Sequence, residues 1–493
     1  MANNTVSDAA QADEKQLEST TQQGSGNTSL EANQDPGVAP TDDDDYPEGG
    51  AQAWLAIAGS FLVYFASFGV INSFGFFQTF YQQEYLKNYP PSVISFIGTL
   101  QITLMYLSGS VAGALFDLYG PKALALLVRS YRRRWLDARY VFRGTERDLA
   151  AIPGTVSSLW SHRGVWSAAR PLQYAVLSRR DSAMNIGDLD FSPPPRDDES
   201  HKMCGMLTWM AQPALTVAGQ YFQRKRALAM GIVASGSSIG GVCLPIMFSK
   251  LIPTIGFPWA LRVGALILLV CYAIAMAICR PARPKRKLVS LRHLFDYKGF
   301  VDIRFACLSA GAVISSLGIY VPFYYIESYC VALDVSTELN AYLLPLINAS
   351  SLLGRISGGH AADRLGRLNV LYPMTTLCGV LCLAMWLPAK TPGLLVGFAC
   401  IYGFASGIFI SVMPAATGQI TPTEKLGARL GAFGSVTAVA FLTGTPIAGA
   451  LIRSETKEGY EPLIIFAGLC LMIGGIIIFV ARLFHDKDLR TKW

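Results

Sequence analysis

The chain has 493 residues, 52% of them hydrophobic and only 15% charged, with a mean hydropathy of +0.35. Soluble domains carry roughly a quarter charged residues, so these figures argue against a soluble enzyme, a nucleic-acid-binding protein and a disulfide scaffold. The net charge of +7, from 41 basic and 34 acidic residues, is modest and gains meaning only from where the charges fall.

Residues 1–48 are polar and acidic, and close with Asp42, Asp43, Asp44 and Asp45. Such a segment buries too little apolar surface to offset chain entropy and is expected to be disordered. It lacks a basic start, an apolar stretch and a small-residue cleavage site, so it does not read as a signal peptide. Asn3 and Asn27 sit in glycosylation patterns; a cytoplasmic tail leaves both unmodified. From Ala51 the chain turns apolar, with runs at about 53–82, 93–116, 227–251, 259–279, 302–326, 339–359, 369–388, 393–416, 430–452 and 461–482. A shorter run, 205–222, is interrupted by Gln212 and Pro213. A bilayer span takes about 20 apolar residues. Lipid leaves no partner for a bare backbone group, so the long runs are expected to be membrane helices. The ten cysteines lie mostly inside these runs without metal-ligand spacing and read as reduced core thiols.

The basic residues alternate between connections. Lys122, the cluster Arg224, Lys225 and Arg226, the stretch from Arg280 to Arg292, Arg364 with Arg367, Lys425 with Arg429, and the chain end from Arg482 to Lys492 mark one side. The intervening connections 252–258 and 327–338 contain no Lys or Arg, and 389–392 contains only Lys390. The positive-inside bias makes the rich side cytoplasmic and puts both termini there. With no targeting signal in the tail, a plasma membrane is the expected home.

One stretch breaks this pattern. Lys122 and Arg224 both fall on the rich side, so an even number of spans must separate them. Residues 129–203 supply none: arginines recur from Arg129 to Arg180 with no Lys before Lys202. A central Arg costs about 2.5–3.5 kcal/mol on the insertion scale. Three readings remain: a native loop, a re-entrant or amphipathic surface element, or translation of a shifted frame or retained intron. The abrupt change at Arg129 and the abrupt return at Met203 favour the third. A transcript with one uninterrupted frame across 123–205 would refute it.

Two motifs repeat across the chain. Gly113, Asp117, Gly120 and Lys122 follow the second run, and Gly358, Asp363, Arg364, Gly366 and Arg367 follow the later run ending near 359. Glycine permits a tight bend, and the Asp can accept from the next helix's N-terminus or from a basic partner. A paired motif indicates two related halves, and this pair resembles the loop signature of the major facilitator superfamily. Tyr221-Phe222-Gln-Arg224-Lys225-Arg226 leading through Gly231 to Gly236 and Gly240, and Glu48-Gly49-Gly50 before Trp54, resemble the monocarboxylate transporter family, and specifically its fungal permeases. Ala227, Gly231 and Ser235, then Gly236 and Gly240, place small residues four apart, which suits close helix approach.

The resemblance covers about 49–128 and 205–484. It implies an all-α membrane fold of twelve-helix type in two six-helix bundles, at 51–279 and 301–484, joined by a basic cytoplasmic loop at 280–300. The third helix and part of the fourth are missing from this pattern, because 129–203 does not match. It implies a secondary transporter of a small organic solute, with monocarboxylates and related organic anions as the class, working by alternating access without a cofactor. The driving force is protons or the solute's own gradient; no oligomeric state follows. An exporter of a small metabolite, or an inactive product of a defective gene, are the alternatives. Asn72 aligns with that family's first-helix Lys, and Ser351 stands where the family has an Asp four residues before Arg355.

Intramembrane charge is functional by default. Arg355 shares a helix face with Ser351 and Asn348, and a guanidinium holds a carboxylate in bidentate fashion. The alternative is that Arg355 snorkels to the surface or pairs with Asp363. Asn72 with Ser73 is expected at the cavity. Tyr320, Tyr324 and Tyr325 are expected to offer hydroxyls there or to anchor at the interface, and Arg262 to anchor beside Trp259. Glu327 lies near a helix end and is set aside as a proton carrier. The five histidines are isolated and no phosphate-binding loop exists, so neither catalysis nor ATP-driven transport is expected.

Overall fold

The computed structural model describes residues 49–119, 214–215, 217–218, 221–222, 225–279, 297–333, 336–421, 426–454 and 456–485. The acidic tail, the stretch 129–203, Gly120, Lys122, nearly all of the basic loop and the last eight residues lie outside the described residues. So do the places where the third and most of the fourth expected helices would fall.

All regular elements among the described residues are helical. In chain order they are α1 (Ala51–Asn72), α2 (Phe74–Phe80), α3 (Pro91–Tyr119), α4 (Arg226–Ile255), α5 (Phe257–Ile278), α6 (Ile303–Ile319), α7 (Val321–Ala332), α8 (Thr337–Leu365), α9 (Arg367–Leu381), α10 (Pro392–Gln419), α11 (Leu426–Ala450) and α12 (Lys457–His485). Wide-turn segments extend α2 through Tyr81–Tyr85 and α9 through Cys382–Trp386. Every one of the ten apolar runs coincides with a helix or a broken pair of helices. Eight helical spans among the described residues are long and apolar enough to cross a bilayer. α3 and α8 are as long, at 29 residues each.

The boundaries of α8 differ from expectation. The run 339–359 continues as helix to Leu365, because His360, Asp363 and Arg364 sit in its last two turns where charge reaches the membrane edge. The tight bend expected at Gly366 is present: its φ of +101° ends α8 and lets α9 begin at the next residue, a conformation that favours glycine.

The two halves of the chain mirror one another. The first span of each is broken, at Ser73 between α1 and α2 and at Tyr320 between α6 and α7, the latter just before Pro322. The next-to-last helix of each half packs along the second helix of the other: α4 on α8, and α11 on α3. The last helices also correspond, α5 lying on α1 and α12 on α6. α12 is further covered by α9. α5 has no such neighbour among the described residues, and only 17% of its most apolar window is buried, against 44% for α12.

Candidate functional site

Glycine contacts set the register of α4. A Cβ on Gly231 would collide with the Arg355 carbonyl oxygen, and one on Gly359 would lie 2.6 Å from the Ala227 carbonyl oxygen. On its other side α4 meets α1, where a Cβ on Gly240 would lie 2.6 Å from Gly69 Cα. The small residues spaced four apart thus serve helix approach, as their spacing predicts. The resulting antiparallel crossing puts Ser237 opposite Arg355.

Arg355 is 1% exposed. Its Nη1 donates to the Ala234 carbonyl and to Ser237 Oγ, and its Nε donates to Ser351 Oγ at 3.2 Å. The Ser237 carbonyl accepts from Asn72 Nδ2 at 3.3 Å. Asn348 donates to its own helix, at the Leu344 carbonyl, and its amide fills the space a Gly241 side chain would occupy. The Oδ1 atoms of Asn72 and Asn348 are buried without a hydrogen-bond partner among the described residues. Asn72 and Arg355 therefore meet at Ser237, with Ser351 on Arg355 and Asn348 against Gly241 one turn further along α4, at the seam between the two halves. Arg355 neither snorkels nor pairs with Asp363; among the described residues it has no carboxylate partner. A buried cation without a carboxylate is costly.

Tyr324 does not join this cluster. Its ring packs 5.0 Å from that of Phe74 and its hydroxyl is buried without a partner. An unexpected aromatic band lies near Arg355 instead. Tyr64 stacks on Phe68 with centroids 4.8 Å apart, Phe68 meets Tyr106 at 6.1 Å, Tyr106 meets Phe441 at 5.0 Å, and Phe441 meets Tyr320 at 5.4 Å. Tyr64, Tyr106 and Tyr320 all lie within electrostatic range of the Arg355 guanidinium. Only Tyr320 of these carries a signal readable in sequence; the other members are brought together by tertiary packing.

Charged contacts across the seam gather at the end of α8. Asp363 accepts from the backbone N–H groups of Ala227 at 3.0 Å and Leu228 at 2.9 Å, and pairs with Arg367 at 3.4 Å. The expected partner helix was the next one; the observed one is α4, in the other half. First-turn N–H groups have no acceptor within their own helix, and a carboxylate there also opposes the helix dipole. Arg226 Nη1 donates to the Gly418 carbonyl at 3.2 Å, beside the end of α10. Arg364 is exposed. Gly113 and Asp117 fall on α3, of which only the backbone is described there.

The opposite end is also joined across the halves. Ser328 Oγ lies 3.3 Å from Thr79 Oγ1 and donates to Gln82 Oε1 at 2.8 Å. Tyr325 donates across to the Pro91 carbonyl at 3.5 Å and, within its own half, to the Thr445 carbonyl at 3.2 Å. Glu327, set aside by sequence reasoning, is 5% exposed because α7 runs on to Ala332 and buries it. No described residue hydrogen-bonds or ion-pairs with it. Arg262 stacks over Trp259 at 4.6 Å, the arrangement expected of an interfacial anchor.

A profile of the major facilitator superfamily matches residues 203–392 and 346–492. The fungal relatives align over most of both chains. "MFS-type transporter 1" of Ophiocordyceps sp. is 32% identical over 91% of this chain and 89% of its own. The "Fujikurins efflux protein" of Gibberella fujikuroi is 32% identical over 92% and 88%. The "Agnestins efflux protein AgnL12" of Paecilomyces divaricatus is 32% identical over 90% and 90%. The crystal structure of the human organic anion transporter MFSD10 superposes with a TM-score of 0.58 at 12% identity, covering 87% of this chain and 100% of that one, which supports the fold. With its mirrored halves, its broken first spans and its match to this family over most of its length, the chain belongs to the major facilitator superfamily and is a multi-pass membrane transporter.

Proposed function

We propose that the chain moves a small organic anion across the membrane by alternating access, and that it works outward. The observation that carries this is Arg355: a guanidinium fully buried at the seam, held on one side by Ala234, Ser237 and Ser351, and left without a carboxylate among the described residues. Asn72, Asn348 and Ser351 supply the polar wall around it. The two bundles, 51–279 and 301–484, rock about this point. Both ends are bridged in the present conformation, so the solute site is occluded. The Asp363 contacts mark the cytoplasmic end, with both termini on that side of a plasma membrane. Outward direction draws support from two relatives named as efflux proteins. Glu327, buried and without an ion-pair partner among the described residues, is the candidate for a coupled proton.

Membrane vesicles of both orientations test this. A labelled organic carboxylate should enter inside-out vesicles faster than right-side-out ones. Arg355→Ala should abolish entry into both, and Arg355→Lys should retain a fraction. Entry undiminished by Arg355→Ala overturns the anion role; faster entry into right-side-out vesicles overturns the direction.

A further inference from the structure

We propose that the solute is an aromatic carboxylate, whose acid group rests on Arg355 while its ring lies against the band formed by Tyr64, Phe68, Tyr106, Phe441 and Tyr320. This rests on the reading of Arg355 as the anion site. The band is a continuous series of ring contacts that starts on α1, passes through α3, and crosses to α11 and Tyr320 in the second half. Its crossing point is the Tyr106–Phe441 pair, at 5.0 Å. Any motion that separates the halves there parts two ring faces. A planar ring inserted between them replaces the lost contact on both sides, which an aliphatic chain does less well because it lacks the quadrupole that favours offset and edge-to-face pairing.

The polar groups fit the same class. Tyr64 and Tyr320 are 3% and 5% exposed, and no described residue hydrogen-bonds their hydroxyls. They lie within electrostatic range of Arg355 and suit a ring substituent that carries oxygen. A small hydroxy acid would satisfy the guanidinium but leave the aromatic wall and both hydroxyls unused.

The test measures binding of four probes to the purified full chain in lipid nanodiscs: 4-hydroxybenzoate, cyclohexanecarboxylate, lactate and the neutral 4-hydroxybenzamide. The inference expects 4-hydroxybenzoate to bind at least about tenfold more tightly than cyclohexanecarboxylate or lactate, with the benzamide weaker still. Phe441→Leu should erase the preference for the aromatic ring over the cyclohexane ring by weakening 4-hydroxybenzoate binding more than cyclohexanecarboxylate binding. Tyr320→Phe, which keeps the ring and the packing, should weaken 4-hydroxybenzoate binding but not that of cyclohexanecarboxylate. Equal affinity for the two six-membered acids in the unaltered chain, with both lost on Arg355→Ala, overturns the aromatic class and leaves the anion site standing. Acid binding that survives Arg355→Ala, or no acid binding at all, overturns both.

Discussion

Replacing Asp363 by Asn isolates one charge at the seam without changing its shape. Its carboxylate side chain is 10% exposed and receives two backbone N–H groups from the first turn of α4, at 3.0 and 2.9 Å. An amide offers only one acceptor oxygen, so one of these bonds must go, along with the full negative charge facing the helix N-terminus. A hydrogen bond to a charged group contributes about 1.5–3 kcal/mol, and a charge at a helix end about 0.3–1 kcal/mol. The two overlap, so about 2 kcal/mol is a fair loss, or about 30-fold in the equilibrium between the bridged and parted ends at 1.4 kcal/mol per decade. Hydrogen exchange reads this directly. Ala227 and Leu228 have no intrahelical acceptor for their amides, so Asp363 is what protects them. In nanodiscs their protection should fall by about that factor in Asp363→Asn, while amides in the middle of α12 stay unchanged. Protection at Ala227 and Leu228 that holds within about threefold in a folded variant would refute the bridging role.

Gly231→Ala should destabilise the protein by about 1–3 kcal/mol, the usual cost of overpacking, because the new methyl meets the Arg355 carbonyl. Gly393→Ala, with nothing within 4 Å of its Cβ position, should leave thermal stability unchanged or raised; equal melting shifts for the two would count against the crossing described. Glu327→Gln should keep solute exchange between two loaded compartments but abolish accumulation driven by a pH gradient. An intact response to the gradient removes Glu327 from coupling.

Much of this architecture is written locally in the sequence. A span of lipid-facing helix needs only its own residues to be recognised, which is why the ten apolar runs coincide with helices. Gly366 likewise announces its bend, and the spacing of Asn348, Ser351 and Arg355 announces a shared face. What could not be read were partners across the seam. Ser237 is an ordinary helical serine until the crossing of α4 and α8 sets it opposite Arg355. Asp363 has a visible need for donors, yet which helix supplies them depends on packing between residues more than 130 positions apart. The burial of Glu327 has no local signal, because the run of apolar residues ends before the helix does. Tyr324 sets its ring on Phe74, a contact that no spacing along the chain announces.

The sparse cover of α5 has a bearing on handling. Among the described residues no helix covers the flank that carries Leu266, Leu269, Val270 and Ile274, and in water such a flank would drive aggregation. In a bilayer acyl chains solvate it about as well as protein does, since lipid and leucine are equally oily. Its mirror image α12 has protein on that side and is indifferent to the choice. Extraction therefore exposes the two halves unequally: short-chain detergents that fail to imitate a hydrocarbon layer should loosen the first half before the second, and native lipid retained along α5 should decide whether the purified carrier keeps its shape.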